Sequence, residues 1–344
     1  MLTLSTNHET AGTLENRQKN LNGIDLIKFL CSIMVFMVHI PFFTSLNSVP
    51  AKFLDFGLRH CICRIAVPFY FVCSGYFLFR KMPLYDPDAE IIKNYCFRIL
   101  RLIATWLILL IMGGAYHLWY LSATVVAIVM LSLCLHWRVK YRHICILACL
   151  LYMIGLLGDS YYGLIAPLRK IKAFNALIQA YAFVFETTRN GVFMGFIYIF
   201  MGASLAHAKT MLKPLPSAIG LAGSAICLLA EAYLLKSHDM TNGYNMYVFL
   251  LPVVYFLFSL AYSLPLKDHA VYTHLRKTGV LIFFLHLFVN RGVALVLSVT
   301  DKLWNVGAIE FQFVCSLAAT VLVAVLIERL SCKERLKWIN WLIS

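Results

Sequence analysis

Apolar stretches long enough to cross a bilayer recur from one end of this 344-residue chain to the other. A helix rises about 1.5 Å per residue and the hydrocarbon core is about 30 Å thick, so roughly 20 apolar residues span it. Inside lipid every backbone N–H and C=O must find a partner within the protein, which restricts spanning segments to helices and closed barrels. The runs here are continuous rather than alternating, so they predict an all-α, polytopic integral membrane protein. Ten spans are expected, near 24–43, 65–80, 95–114, 118–135, 143–158, 190–206, 216–235, 246–263, 279–298 and 307–328. Composition agrees, with 61% of residues hydrophobic and 13% charged, against about 25% charged in soluble domains.

Lysine and arginine set the expected orientation. With the N-terminus inside, nineteen of them fall on inner segments and nine on outer ones, while Lys28 and Arg291 lie within spans. That bias predicts an N-in, C-in bundle in the inner (plasma) membrane. It also accounts for the formal net charge of +14 without a nucleic-acid partner. The lipid bilayer is the expected partner, and a basic inner face suits anionic lipid or an anionic nucleotide cofactor. Residues 1–23 read as a polar cytoplasmic tail, 24–328 as the membrane domain, and 329–344 as an amphipathic cytoplasmic tail carrying Trp338 and Trp341. The first apolar run is too long for a signal-peptide core and reads as a retained helix. The outer connection at 159–189 is expected to hold a re-entrant or interfacial helix. Eleven cysteines are scattered mainly through apolar segments, where cysteine acts as a small hydrophobe. Cys61 and Cys63 form a lone CxC pair, too little to predict a metal, and no disulfide framework is apparent.

Within the first span, Lys28 and His39 lie eleven residues apart. Eleven helical steps make about 1100°, so the two side chains share a face about 16 Å apart along the axis. Ionisable groups inside a membrane helix are costly and mark candidate functional sites. His39 is the candidate general base, since imidazole titrates near neutrality. Asp25 is a first-turn acid. In the second span, Pro68 is expected to interrupt the helix ladder and Ser74-Gly75 to allow close backbone approach. A kinked helix with a small-residue packing face explains the same residues. Arg98 and Arg101, spaced by three, present two guanidiniums on one face and suit phosphate; anchoring at lipid phosphate is the alternative. Glu186 and Arg189 precede the sixth span and are spaced to pair with each other. His117 in HLWYL fits an aromatic belt. His286 and Arg291 are costly in the ninth span unless they face the bundle interior.

These motifs carry a family resemblance over nearly the whole chain. IDLIKFLCSIMVFMVH resembles the opening helix of the membrane-bound acyltransferase-3 family, with Asp25, Lys28 and His39 at the family's D-x-x-R-x10-H spacing. Arg64, Pro68, Ser74, Gly75 and Tyr76 match its second-helix signature, and Arg98 and Arg101 its RxxR. RNGVFMGFIYIFMGASLA and IFFLHLF are similar to its mid-chain and late histidine helices. HLWYL and GYFLFRK further resemble the membrane half of vancomycin-resistance serine racemases, a branch of the same family. Lys28 stands where the family has arginine, keeping the charge without the bidentate fork.

The resemblance implies an O-acyltransferase of about ten helices. It would move an acyl group, commonly acetyl, from cytoplasmic acyl-CoA to a hydroxyl of an envelope glycan, glycolipid or small molecule. His39 would deprotonate the acceptor, Arg98, Arg101 and Lys28 would hold the acyl-CoA donor, and Ser74 would lie near the thioester or help shape the site. Asp25, Arg64, Glu186, Arg189 and His286 would support the site, and no metal is expected. The alternative is a permease or exporter for a small polar solute, in which Lys28, His39, His286 and Arg291 line the path.

Overall fold

The computed structural model describes residues 21–40, 42, 48–83, 85–110, 118–304, 309–331 and 333. Among them the chain is all helical, without strands. The helices are α1 (Asn22–His39), α2 (Val49–His60), α3 (Ala66–Phe79), α4 (Ala89–Leu110), α5 (Trp119–His136), α6 (Tyr141–Gly158), α7 (Lys172–Phe185), α8 (Phe196–Ala206), α9 (Pro214–Ser237), α10 (Leu250–Ser263), α11 (Val271–Trp304) and α12 (Ile309–Ser331).

Each of the ten predicted spans overlaps a helix. Among the described residues, seven segments are long and apolar enough to cross a membrane: α1, the continuous Val49–Phe79, α5, α6, α9, α11 and α12. Gly191–Ala206 and Leu250–Ser263 are shorter apolar helices. The chain is therefore a polytopic helical bundle. The last helix runs to Ser331, past the expected domain boundary at 328. Residues 1–20, His117 and most of the C-terminal tail lie outside the described residues.

Ser48 starts α2, its hydroxyl accepting from the Ala51 N–H at 3.3 Å, with Pro50 in the first turn. A short 3-10 turn at Ile62–Ile65 then leads into α3. Pro68 does not interrupt the helix: it occupies the first turn of α3, where its missing N–H has no helical partner to lose. No backbone gap for catalysis arises there.

α3 is apolar all round, as befits the centre of a bundle; Phe69, Phe71, Val72 and Phe79 are fully buried. It packs against α8 through two reciprocal glycines. A Cβ on Gly75 would strike the Ile199 carbonyl, and one on Gly202 the Val72 carbonyl. The expected close approach at Ser74-Gly75 is thus met. α1 packs against α11, α10 and α3, and α11 against α12. α7 lies in the predicted outer connection. It buries none of its residues, and Phe183 is 92% exposed.

Candidate functional site

α1 separates two polar centres. At its start, the buried Asp25 carboxylate lies 3.5 Å from Arg276 on α11. The Tyr70 hydroxyl donates to the Lys28 carbonyl at 2.7 Å. The Lys28 Nζ sits 5.7 Å from the centre of the Phe77 ring, and the Arg80 guanidinium 5.0 Å from the same ring. One helical turn away on α3, Ser74 is within hydrogen-bond distance of the Tyr120 hydroxyl, at 3.3 Å, and lies beside Tyr95. Arg98 lies 5.1 Å over the Tyr95 ring. It is exposed and Arg101 is half-buried. Ser74 is thus held among phenols.

The second centre lies at the far end of α1. His39 packs against His286 of α11, ring centroids 5.2 Å apart, and is within electrostatic reach of Arg64 and Arg189. Arg64 leaves the 3-10 turn before α3 and donates from Nη1 to Asn245 Oδ1 at 2.8 Å. Its other terminal nitrogen is 3.5 Å from His60 Nδ1. Arg189 reaches the same Asn245 oxygen at 3.4 Å. Asn190 sets its direction, accepting from the Val192 and Phe193 N–H groups and so capping the π-turn Gly191–Gly195. The Arg189 guanidinium lies 4.8 Å over the Trp119 ring. Burial pushes it below the usual arginine range and the Asp159 carboxylate opposes the shift; it remains a cation.

Asp159, at the end of α6, organises the loop that carries Asn245. Its carboxylate accepts from the Asn245 N–H at 2.8 Å, the Asn245 amide at 2.7 Å, the Met246 N–H at 3.2 Å and the Ser160 hydroxyl at 2.9 Å. Nearby, Glu231 of α9 accepts from the Tyr161 hydroxyl and from the N–H groups of Val248 and Phe249, which precede α10.

The structure brings together His39, His286, Arg64 and Arg189, and places Asp25, Lys28 and Ser74 toward the start of α1, with Arg98 over Tyr95 and Arg101 the next turn along α4. Glu186 joins neither centre. Its positive φ of 55° breaks the helix after α7, so the spacing that would pair it with Arg189 is lost, and Arg189 turns to Asn245 and Trp119. Asn245, Asp159 and Glu231 were not singled out from the sequence. A Gly-Asp-Ser step at a helix end and an Asn-Gly-Tyr-Asn turn are common loop chemistry and do not announce a shared site.

Comparison with known proteins places this bundle beside amino-acid racemases. A serine/alanine racemase of Enterococcus gallinarum is 27% identical over 301 residues, covering 78% of this chain and 41% of the relative. An amino-acid racemase of Enterococcus faecalis is 25% identical, covering 71% of this chain and 36% of the relative. A second from the same organism is 28% identical over 53% of this chain. The chain spans less than half the length of these relatives. No family model matches it, so membership of the acyltransferase-3 family is not confirmed, and no solved structure matches.

These relatives overturn the acyltransferase expectation. Racemisation removes and returns a proton at one carbon and needs no acyl donor, so acyl-CoA falls as a cofactor and transferase as the enzyme class. Acetyl-CoA, O-acetylation and a glycan or glycolipid acceptor fall with them. The solute-permease alternative gains no support from the same names. The motifs shared with acyltransferases describe helices and a polar centre, and the chemistry performed there is a separate matter.

Proposed function

We propose that this chain is the membrane-embedded part of an amino-acid racemisation system. It binds a small amino acid of the serine or alanine kind at the centre around His39, His286, Arg64 and Arg189. The observation that carries the reading is the match, over 78% of the chain, to a relative named for serine and alanine. The site chemistry fits. A zwitterion needs a cation for its carboxylate and polar groups for its amine and side chain, and this centre gathers two guanidiniums and two imidazoles. The enzyme class is isomerase. The membrane is the plasma membrane of a bacterial cell, with the N-terminus inside, as the lysine and arginine bias supports.

Radiolabelled L-serine and L-alanine binding to the purified chain, together with chiral chromatography of both amino acids after incubation with membranes carrying it, tests the reading. Saturable binding with formation of the D-isomer is the expected result. Absence of both overturns it. Binding without interconversion would leave the amino-acid site and remove racemisation from this chain.

A further inference from the structure

We infer that Arg64 and Arg189 form a receptor for a carboxylate, with Asn245 holding the two guanidiniums in register. The two side chains come from separate parts of the bundle and end on one neutral oxygen, Asn245 Oδ1, at 2.8 and 3.4 Å. Two cations converging on an amide oxygen repel each other, and such an arrangement calls for an anion between them. Neither makes an ion pair with a described carboxylate. The Nε of each is buried without a hydrogen-bond partner, a costly state that asks for an explanation. Arginine's planar fork matches a carboxylate through two parallel hydrogen bonds. The Trp119 face keeps the Arg189 plane in place.

The surrounding charges leave this demand unmet. Asp159 acts on both arginines, but its oxygens are already taken by Asn245, Met246 and Ser160. Arg59 is satisfied by Asp55 through three hydrogen bonds. Lys236 lies against the Phe56 ring at 3.9 Å and adds a further positive charge to this end of the bundle. Two arginines then face one carboxylate, which is fully engaged, so one positive charge is in excess. A small carboxylate-bearing molecule restores neutrality. An amino acid is such a molecule; only this identification rests on the function proposed above, while the receptor stands on the geometry.

The test measures binding to the full chain in detergent, by equilibrium binding and ligand-dependent thermal unfolding. The probes are L-serine, L-serinamide, which keeps the amine and hydroxyl without the carboxylate, and sodium acetate. L-serine should bind at least about tenfold tighter than serinamide, and acetate should compete with it. Arg189→Gln should weaken L-serine about tenfold to hundredfold, the loss expected for a charge-assisted pair. Arg189→Lys should recover only part, since it restores charge without the fork. Arg64→Gln should behave like Arg189→Gln; if it fails to fold, the loop-borne Arg189 variants decide. Acetate binding that depends on Arg189, without any for serine, would uphold the receptor and sink the amino-acid reading. Equal binding of serine and serinamide, unchanged in the Arg189 variants, would overturn the receptor and leave that reading standing. Absence of any carboxylate dependence would overturn it as well.

Discussion

His39 and His286 lie ring against ring, centroids 5.2 Å apart and planes tilted by 35°, one on α1 and the other on α11. The His286 Nδ1 is 2.8 Å from the Phe283 carbonyl and 3.2 Å from that of Ile282. A carbonyl only accepts, so Nδ1 carries the proton, and the backbone of α11 sets both the tautomer and the ring orientation. His286 is fully buried and His39 is exposed. The pair therefore has a fixed member and an accessible one.

The two histidines should separate in their mutants. His286→Ala leaves a cavity beside Phe36 and is expected to cost about 2–4 kcal/mol, as for large-to-small core changes. His39→Ala removes an exposed side chain and should stay within about 0.5 kcal/mol of the parent, while lowering amino-acid binding. Thermal unfolding of both variants in one detergent checks this; equal destabilisation would contradict the assignment of fixed and accessible roles.

The α3–α8 contact should tolerate no added methyl group. Gly75→Ala and Gly202→Ala each drive a Cβ into a backbone carbonyl and should each cost about 1–3 kcal/mol or more. Because both open the same helix pair, the double variant should lose less than the sum of the singles. Gly223→Ala on α9, where a Cβ meets nothing within 4 Å, is the control and should be neutral or slightly stabilising. Unfolding midpoints in detergent distinguish these outcomes.

Glu231 fastens the loop before α10. Its carboxylate accepts from the Tyr161 hydroxyl at 2.7 Å and from the Val248 and Phe249 N–H groups at 2.7 and 2.9 Å. Glu231→Ala leaves three part-buried donors without their acceptor and should cost about 1–2 kcal/mol; Glu231→Gln, which keeps an acceptor, should cost about half as much. Hydrogen exchange at Val248 and Phe249 should rise in the alanine variant first.

Tyr161 gives the same contact a pH dependence. Burial, then its bond to Glu231, raises the phenol above the usual tyrosine range. An acid whose folded-state pKa is raised contributes stability below its unfolded value, near pH 10, and that contribution drains as pH rises beyond it. Stability should therefore fall more steeply above about pH 10 in the parent than in Tyr161→Phe. Identical alkaline slopes in a pH series of unfolding midpoints would show that the bond contributes nothing there.

Residues that act through their own helix could be read before any contact was known. The apolar runs marked ten segments that each meet a helix, seven of the described segments being long and apolar enough to cross a membrane, since span length follows from bilayer thickness. Gly75 marked a close approach because a missing Cβ has that consequence in any bundle. Lys28 and His39 stood out because charge inside an apolar run is expensive wherever it occurs. Pro68 misled, because its effect depends on its distance from the helix start, and that start was set by the 3-10 turn at Ile62–Ile65. The likeness to acyltransferases misled on chemistry, since similar helices can carry different reactions.

Periodicity and composition determined that the chain is a polytopic helical bundle and which residues were too costly to be idle within it. Packing decided which of those residues meet. Arg64 and Arg189 share an oxygen only because Asp159 ties down the Asn245 loop, and His39 finds His286 only because α1 lies along α11. The reason is the range of the forces involved. Burial of an apolar run and the rise of a helix are local and repeat along the chain. The meeting of side chains from helices far apart in sequence depends on how those helices cross, and no single segment encodes that.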